Sequence, residues 1–259
     1  MMNNALALAG VVLKELYRRK DFYVLFILTA LITLLLGAVN IFGEQGVARY
    51  LKEVCLLLIW ISSLVIAVTT TARQIPAEKE HRTIFPLLAK PVSRGDLIFG
   101  KFLGCWLACG VALLVFYLFF GVISGVRESS FAVLNYFQAF WLHWVMLAVV
   151  VAMVLLGSVV FAAPSSNSTI SFIVIVGILM LARHLNKVAL GMAEPASSIL
   201  YGIYYVIPHL EFFDVRDLVV HNMSLVPWVA VAIATVYGIA YAGLFLFSTW
   251  LVFRRKALN

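Results

Sequence analysis

Residues 73–101, RQIPAEKEHRTIFPLLAKPVSRGDLIFGK, form a polar interval between two apolar segments that are each long enough to cross a membrane. The chain has 259 residues, 64% hydrophobic and 12% charged, whereas soluble domains carry about 25% charged residues. Its mean hydropathy is +1.04. This composition predicts an all-α polytopic membrane protein. In a membrane protein the net charge of +7 is explained by the excess of Lys and Arg on the cytoplasmic side. We therefore expect lipid contact and no nucleic-acid partner.

Six apolar segments are long enough, or nearly so, for a helix that crosses the hydrocarbon core, which takes about 20 residues. The predicted spans are residues 22–42, 54–72, 102–126, 140–162, 169–190 and 228–253. The fifth reaches this length only if its helix continues past Arg183 and His184 to Leu190, as we expect. Together the spans should form one transmembrane domain over residues 1–259.

Lysine and arginine are distributed unevenly between the two sides that these spans define. Thirteen lie before the first span, in the 73–101 interval and after the last span, whereas six lie on the other side. Because cytoplasmic flanks are enriched in Lys and Arg, we expect a multi-pass protein of the inner or plasma membrane. Both termini and the 73–101 interval should be cytoplasmic, as should the short uncharged connection Ala163–Ser168.

The N-terminal residues 1–21 are predicted to form an amphipathic helix in the headgroup region of the membrane. Apolar residues recur there at helical spacing, and a basic cluster follows them. Such a helix turns its basic side toward anionic lipid. The residues assigned to this surface are Lys14, Arg18, Arg19 and Lys20. The alternative is a positively charged lead-in to the first span.

The longest connection on the outer side is residues 191–227. Its apolar run, Ala196–Ile207, lies between Pro195 and Pro208 and is too short to span the membrane. We therefore predict re-entrant or interfacial helices between spans 5 and 6. The alternative is a solvated loop with aromatic anchors. Our candidates for an outer gate are Tyr201, Tyr204, Tyr205, His209 and Glu211.

Ionisable residues are nearly absent from the predicted spans, and His143 is the one that lies well inside. A charge at that depth costs at least about 2.5–3.5 kcal/mol and is kept for proton relays or ion sites. The spans are therefore unlike those of an ion-driven transporter or an intramembrane protease. We expect His143 to hydrogen-bond between packed helices. Cys55, Cys105 and Cys109 should be small buried side chains.

The segment Gly95–Lys101 satisfies the G-x-x-x-x-G-K spacing of a phosphate-binding loop. The next residue, where Ser or Thr would hold magnesium, is Phe102. Ser93 and Asp96 instead fit an S-x-x-D helix start. Gly104 and the glycine four residues before it form a G-x-x-x-G pattern, which permits close helix contact. We therefore expect no cofactor on this chain.

The middle of the interval has features of a docking segment for another protein. Pro76 can begin a helix. Thr83 can cap a short second helix, Ile84–Ala89, which Pro91 would end and whose apolar side suits a groove in a partner. The residues assigned to docking are Glu78, Glu80, Arg82, Thr83, Ile84, Phe85, Leu87, Leu88, Pro91 and Arg94. The alternative is an ordinary solvated loop.

The run from Glu78 to Gly104 resembles the cytoplasmic loop of type-2 ATP-binding-cassette exporter permeases. That pattern has an acidic cluster, a threonine, a leucine-rich turn, Pro-Val-Ser-Arg and Gly-Lys-x-x-Gly entering the next span. It falls here on Glu78/Glu80, Thr83, Leu87–Leu88, Pro91–Arg94 and Gly100–Gly104. The chain departs from it at His81-Arg82 and at Pro86. The six-span layout and the N-terminal helix are also similar to that family.

The resemblance implies a permease subunit with a cytoplasmic coupling helix, Ile84–Ala89, between spans 2 and 3. Its partners would be a second permease, as homodimer or heterodimer, and a cytoplasmic dimer of ABC ATPases. ATP and magnesium would be bound by those ATPases, and this chain would not be an enzyme. Closure of the ATPases would move the coupling helix and open or close a pathway for export of a lipophilic or amphipathic substrate.

Two alternatives of other classes stay open on the sequence. A membrane scaffold or regulator could recruit an ATPase without transporting a substrate. A polytopic metalloenzyme could use side chains on the outer side, although their mixed spacing disfavours a metal site. Those side chains are His209, Glu211, Asp214, Asp217 and His221.

Overall fold

The computed structural model describes residues 9–12, 14, 20–38, 43–80, 93–128 and 132–255. Within these ranges the chain is helical apart from short connections, and it contains no strand. The α-helices there, numbered in chain order, are α1 Lys20–Ala38, α2 Gly43–Ala72, α3 Pro76–Glu80, α4 Arg94–Glu128, α5 Val133–Val160, α6 Pro164–Leu190, α7 Ala196–Val206, α8 Arg216–Val220 and α9 Trp228–Arg255. A 3-10 turn, Leu210–Phe213, lies between α7 and α8.

Five of the described helices, α2, α4, α5, α6 and α9, are long and apolar enough to cross a membrane. They correspond to predicted spans two to six. The remaining predicted span corresponds to α1, whose apolar part, Phe22–Leu35, is shorter. The all-α membrane architecture is therefore confirmed, and the count of six spans stays a prediction.

Several helices begin earlier than the predicted spans. The first residue is Gly43 in α2 rather than residue 54, Arg94 in α4 rather than 102, and Val133 in α5 rather than 140. Helix α6 begins at Pro164, so residues 164–168 of the connection predicted as Ala163–Ser168 are helical, and the irregular part is residues 161–163. Apolar length predicts only the part of a helix inside the bilayer, and it misses polar turns that extend beyond it.

The segment between the last two long helices also differs from its prediction in part. Helix α6 does continue to Leu190, as expected, and α7 confirms the short helix predicted at Ala196–Ile207. The polar stretch after it, for which the sequence analysis named no separate element, contains the 3-10 turn and α8. Both are single short turns, and apolar periodicity does not detect elements of that length.

Helix α5 lies at the centre of the bundle and contacts α2, α4, α6 and α9. The apolar part of α5 is 72% buried, against 17% for α9 and 22% for α6. The exposed faces of the outer helices are themselves apolar, with side chains such as Ile173, Met180 and Ile239 more than half exposed. Such faces suit a hydrocarbon environment, in which helices need no polar surface.

Helices α4 and α5 are joined by a reciprocal pair of tryptophans. The indole rings of Trp106 and Trp144 stack with centroids 4.6 Å apart. Each indole N–H donates to the other residue's carbonyl oxygen, over 2.9 Å and 3.2 Å. Gly110 permits this contact, because a Cβ there would lie 2.5 Å from Nε1 of Trp144. The interface is thus fixed by shape as well as by hydrogen bonds.

His143 connects three helices inside the bundle. Its Nε2 lies 2.8 Å from the hydroxyl of Ser63 on α2, and its Nδ1 lies 3.4 Å from the hydroxyl of Tyr117 on α4. The side chain is buried. The prediction that His143 hydrogen-bonds between packed helices is therefore confirmed. The three cysteines are buried, as predicted.

Candidate functional site

One end of the bundle holds the base of the 73–101 interval together with both ends of the chain that the structure describes. A tight turn, residues 73–75, follows α2 and leads into α3 at Pro76, where the sequence predicts a helix start. The other edge of the interval is the start of α4. The described residues of this interval are 73–80 and 93–101.

A buried ion pair attaches α3 to α4. The ammonium of Lys101 contacts the Glu78 carboxylate, with side chains 7% and 15% exposed. A charge pair removed from water needs such close geometry to offset the loss of hydration. Lys101 is also the lysine of the phosphate-loop spacing. Residues 95–101 form a helix, not a loop, and this lysine is engaged with Glu78.

The start of α4 has the predicted S-x-x-D arrangement. The Ser93 N–H donates to a carboxylate oxygen of Asp96 over 3.3 Å, and the Asp96 N–H donates to the Ser93 hydroxyl over 3.0 Å. Each side chain thus satisfies a backbone donor of the first turn. The helix start predicted from the sequence is confirmed.

Arg94 ties this helix start to the far end of the chain. Its guanidinium donates to the carbonyl oxygens of Phe253 and Arg254 over 2.9 Å and 3.0 Å. It also lies 5.6 Å from the centroid of the Phe253 ring. These carbonyls belong to the last turn of α9, where a cation is favoured because they lack helical partners.

The N-terminal segment packs beside the same helix. Residues 9–12 are helical, and Ala9 and Val12 are buried. A Cβ at Gly104 would lie 2.8 Å from the Cβ of Val12 and 3.0 Å from the Cα of Ala9. The close contact predicted from the G-x-x-x-G pattern therefore exists at Gly104, and its partner is the N-terminal segment.

The predicted docking residues fall into two groups. Glu78 and Arg94 are the anchors just described, and Glu80 is exposed beside a cavity of about 430 Å³ that Arg73 and the first turn of α6 also line. The others lie outside the described residues; they are Arg82, Thr83, Ile84, Phe85, Leu87, Leu88 and Pro91.

The basic residues predicted for the N-terminal surface are described in part. Lys14 and Lys20 are exposed and lie at helical positions, and Lys20 is the first residue of α1. Arg18 and Arg19 lie outside the described residues. The interfacial placement of this segment stays a prediction.

Three of the predicted gate residues come together at the opposite end of the bundle. The ring of Tyr204 lies 4.4 Å from that of His209, whose Nδ1 is 3.3 Å from a carboxylate oxygen of Glu211. Tyr205 is largely exposed, and its carbonyl accepts a hydrogen bond from Tyr241 on α9. Tyr201 is half-buried on α7. Whether they form a gate stays a prediction.

Lys52, Trp60 and Arg216 complete this end of the molecule, and the sequence analysis did not single them out. Lys52 is fully buried and donates to Asn222 over 2.8 Å, which joins α2 to the end of α8. The Arg216 guanidinium lies 4.8 Å from the centroid of a Trp60 ring. Lys52 lies next to Glu53 and three residues after Arg49, in the polar first part of α2, so the sequence carried no signal that set it apart.

Asp214 fixes the position of that guanidinium. Two nitrogens of Arg216 donate to the two carboxylate oxygens of Asp214, each over 2.8 Å. These hydrogen bonds raise the pKa of Arg216 above its usual value, and burial opposes them. The pair is therefore a bidentate ion pair, a geometry that favours a fixed orientation. No three His, Cys, Asp or Glu residues of the described ranges are grouped to hold a metal, as the metalloenzyme alternative would need.

A model of one protein family matches residues 5–256 of the chain, and its description is "ABC-2 family transporter protein". The match runs from the N-terminal segment to the last turn of α9. It thus includes both ends of the bundle. No curated protein sequence matches the chain.

Proposed function

The chain belongs to the ABC-2 family of transporter proteins, and on this premise we propose that it is the permease subunit of an ATP-driven exporter. Its transmembrane helices form a transport component, and the energy comes from ATP hydrolysis on a separate ATPase dimer. ATP and magnesium bind to that dimer. A second permease, identical or paralogous, completes the pathway, through which a lipophilic or amphipathic substrate leaves the cell.

We place one permease domain with six spans in the inner or plasma membrane. Both termini and the 73–101 interval face the cytoplasm, because the excess of Lys and Arg lies on that side. The N-terminal segment lies in the headgroup region, and Ile84–Ala89 is the coupling helix between spans 2 and 3.

The segment from α7 to α8 is re-entrant in this proposal. Arg216 packs on Trp60, which is 12 residues from the end of α2 at Ala72. At a rise of 1.5 Å per residue this is about 18 Å along the helix. Arg216 therefore lies well within the length of α2, which supports entry of this segment into the bundle.

The observation that carries the coupling role is the attachment of both edges of the interval to transmembrane helices. Glu78 binds Lys101 on α4, and Arg94 binds the last turn of α9. A force on the coupling helix would reach α4 and α9 through these contacts. Rigid-body motion of packed helices is an established way for such a force to open a pathway.

The test is a reconstitution of the permease with the ATPase that co-purifies with it, in sealed liposomes. We expect the complex to hydrolyse ATP faster than the ATPase alone and to move a fluorescent lipid analogue only when ATP is present. Changing Leu87→Asp and Leu88→Asp should abolish both effects, because two buried charges would disrupt an apolar docking surface.

The matched control is Met223→Asp with Leu225→Asp. It adds the same two charges at exposed positions of the opposite end of the bundle, so coupling should be preserved. Full coupling in the Leu87/Leu88 variant would contradict the docking role. Stimulated ATP hydrolysis without movement of any lipid analogue would favour a scaffold, and movement without the ATPase would overturn the proposal.

A further inference from the structure

A cavity of about 480 Å³ lies between α2, α6 and the segment that follows α7. One part of its wall is apolar, from Leu179, Met180 and Leu181 on α6. The other part is polar, and it is lined by Trp60, His184, Glu211, Asp214 and Arg216. The apolar wall can thus contact the apolar part of an amphipathic molecule, and the polar wall can bind its head group.

The hydrogen bonding of Glu211 is incomplete in the cavity lining. One carboxylate oxygen faces His209 at 3.3 Å, whereas the other, Oε2, is buried and has no hydrogen-bond partner among the described residues. A buried acceptor without a donor is costly, and more so when it is charged. Rotation about the terminal torsion of glutamate is soft, so this oxygen can turn toward a donor inside the cavity.

The charges of the lining favour a cation. Two carboxylates, Glu211 and Asp214, lie beside one guanidinium, and Arg216 directs two of its five N–H donors to the two oxygens of Asp214. Asp214 and Arg216 balance each other's charge, so the ligand that completes this set has a positive charge and an N–H donor for Glu211. A protonated primary amine has both properties, whereas a quaternary ammonium group has the charge and no N–H.

The apolar wall determines what carries that amine. Met180 is 68% exposed and Leu181 is 57% exposed, so this side of the cavity opens at the outer surface of α6 within its apolar length. An alkyl chain can reach the cavity there from the hydrocarbon region. We propose that the cavity binds the primary amine head group of an amphipathic molecule, with the amine at Glu211 and the chain along Leu179–Leu181.

The test is equilibrium binding to the full chain in phosphatidylcholine nanodiscs, without an ATPase. The probe is a long-chain primary alkylamine with a bromine on its chain, which quenches tryptophan fluorescence on contact, as at Trp60. We expect a saturable quenching component. The N-trimethylated probe of equal chain length should bind the wild-type protein roughly tenfold or more weakly, because it cannot donate the charge-assisted hydrogen bond to Glu211.

Two variants separate the cavity from general partitioning into the bilayer. Glu211→Gln should weaken the saturable component by roughly tenfold or more. Glu194→Gln makes the same chemical change at an exposed residue that bonds Ser198 outside the cavity lining, and it should leave binding unchanged. Equal binding of the two probes, equal binding by Glu211→Gln and wild type, or quenching that never saturates would each overturn the proposal.

The source of the amine is distinguished in the same assay. Competition by phosphatidylethanolamine in the nanodisc would assign the site to a lipid head group, and absence of competition would assign it to a free amphipathic amine. Because the assay contains no ATPase, its result is independent of the transport function proposed above. Failure of transport with intact amine binding would overturn only that function.

Discussion

Three of the polar contacts inside this bundle join one helix to another segment. Lys101 on α4 binds Glu78 on α3, and Lys52 on α2 binds Asn222 after α8. His143 on α5 bonds Ser63 on α2. In a medium without water each such contact replaces hydration that the groups cannot otherwise recover. Their loss is therefore expected to affect the relative position of two helices rather than a single side chain.

Lys101→Met should destabilise the protein strongly, because it leaves the buried Glu78 carboxylate without its ion-pair partner. Removing one member of a buried pair costs about 3–5 kcal/mol. The double variant Lys101→Met with Glu78→Gln should recover much of this loss, since no buried charge is left behind. The stability of both variants is measured by thermal unfolding in detergent, with aggregation of the heated protein as the readout. A double variant less stable than Lys101→Met would contradict the pairing.

His143→Gln should leave ATP-dependent transport intact and lower stability by about 1 kcal/mol, the net value of a typical hydrogen bond. The reason is that His143 links Ser63 and Tyr117 by hydrogen bonds, and glutamine offers a donor and an acceptor of similar reach. The measurements are transport in liposomes and thermal unfolding. Loss of transport in a variant of unchanged stability would instead indicate a proton-transfer role.

At the scale of the elements, the long helices pack through positions where a side chain is missing. Gly110 admits Trp144 between α4 and α5, and Gly104 admits Val12 of the N-terminal segment. Gly238 on α9 likewise lies against α5, where a Cβ would be 2.5 Å from a methyl carbon of Val145. Small residues allow close approach of helices in membranes. The bundle is therefore sensitive to added volume at these glycines.

Gly104→Ala should release the N-terminal segment from α4, because the new methyl group would overlap Val12 and the backbone of Ala9. Hydrogen exchange of residues 9–12 should become faster. The matched control is Gly121→Ala on the same helix, where the nearest atom is 3.8 Å away, and it should leave exchange unchanged. Equal exchange in both variants would show that the Gly104 contact does not hold the segment.

The long helices could be predicted from the sequence because apolar length is a direct consequence of bilayer thickness. Their ends could not, since Gly43 and Pro164 begin turns that are polar and outside that rule. The pair Ser93–Asp96 was readable because a helix start is local. Lys101 contacts Glu78, and Arg94 contacts Phe253. Both contacts join residues that are far apart in the sequence, so no local pattern predicts them.

At the scale of the whole molecule, the structure divides the chain between two ends of one bundle. The 73–101 interval, the N-terminal segment and the last turn of α9 meet at one end. Residues 207–227 and the start of α2 meet at the other, where Lys52 reaches Asn222. This division agrees with the one drawn from Lys and Arg in the sequence, which counts thirteen at the first end and six at the second.

Single cysteines should therefore label from opposite sides of the membrane. Arg255→Cys is expected to react with a membrane-impermeant maleimide only after the cells are opened, and Glu194→Cys in intact cells, because we propose that the basic end faces the cytoplasm. Both positions are exposed, and the three native cysteines are buried and should give little background. Labelling of both positions from the same side would contradict a membrane crossing by α9.

The contact of Arg94 with two backbone carbonyls in the last turn of α9 has a practical use for studies of this transporter. A dye attached after α9 would be displaced whenever the 73–101 interval moves, although no residue of that interval has been altered. If two permeases form a pair, energy transfer between two such dyes, one on each permease, would report each movement of the 73–101 interval in real time. A bulky fusion placed directly after Arg255 would be unsuitable, because it would crowd the contact between Arg94 and the last turn of α9.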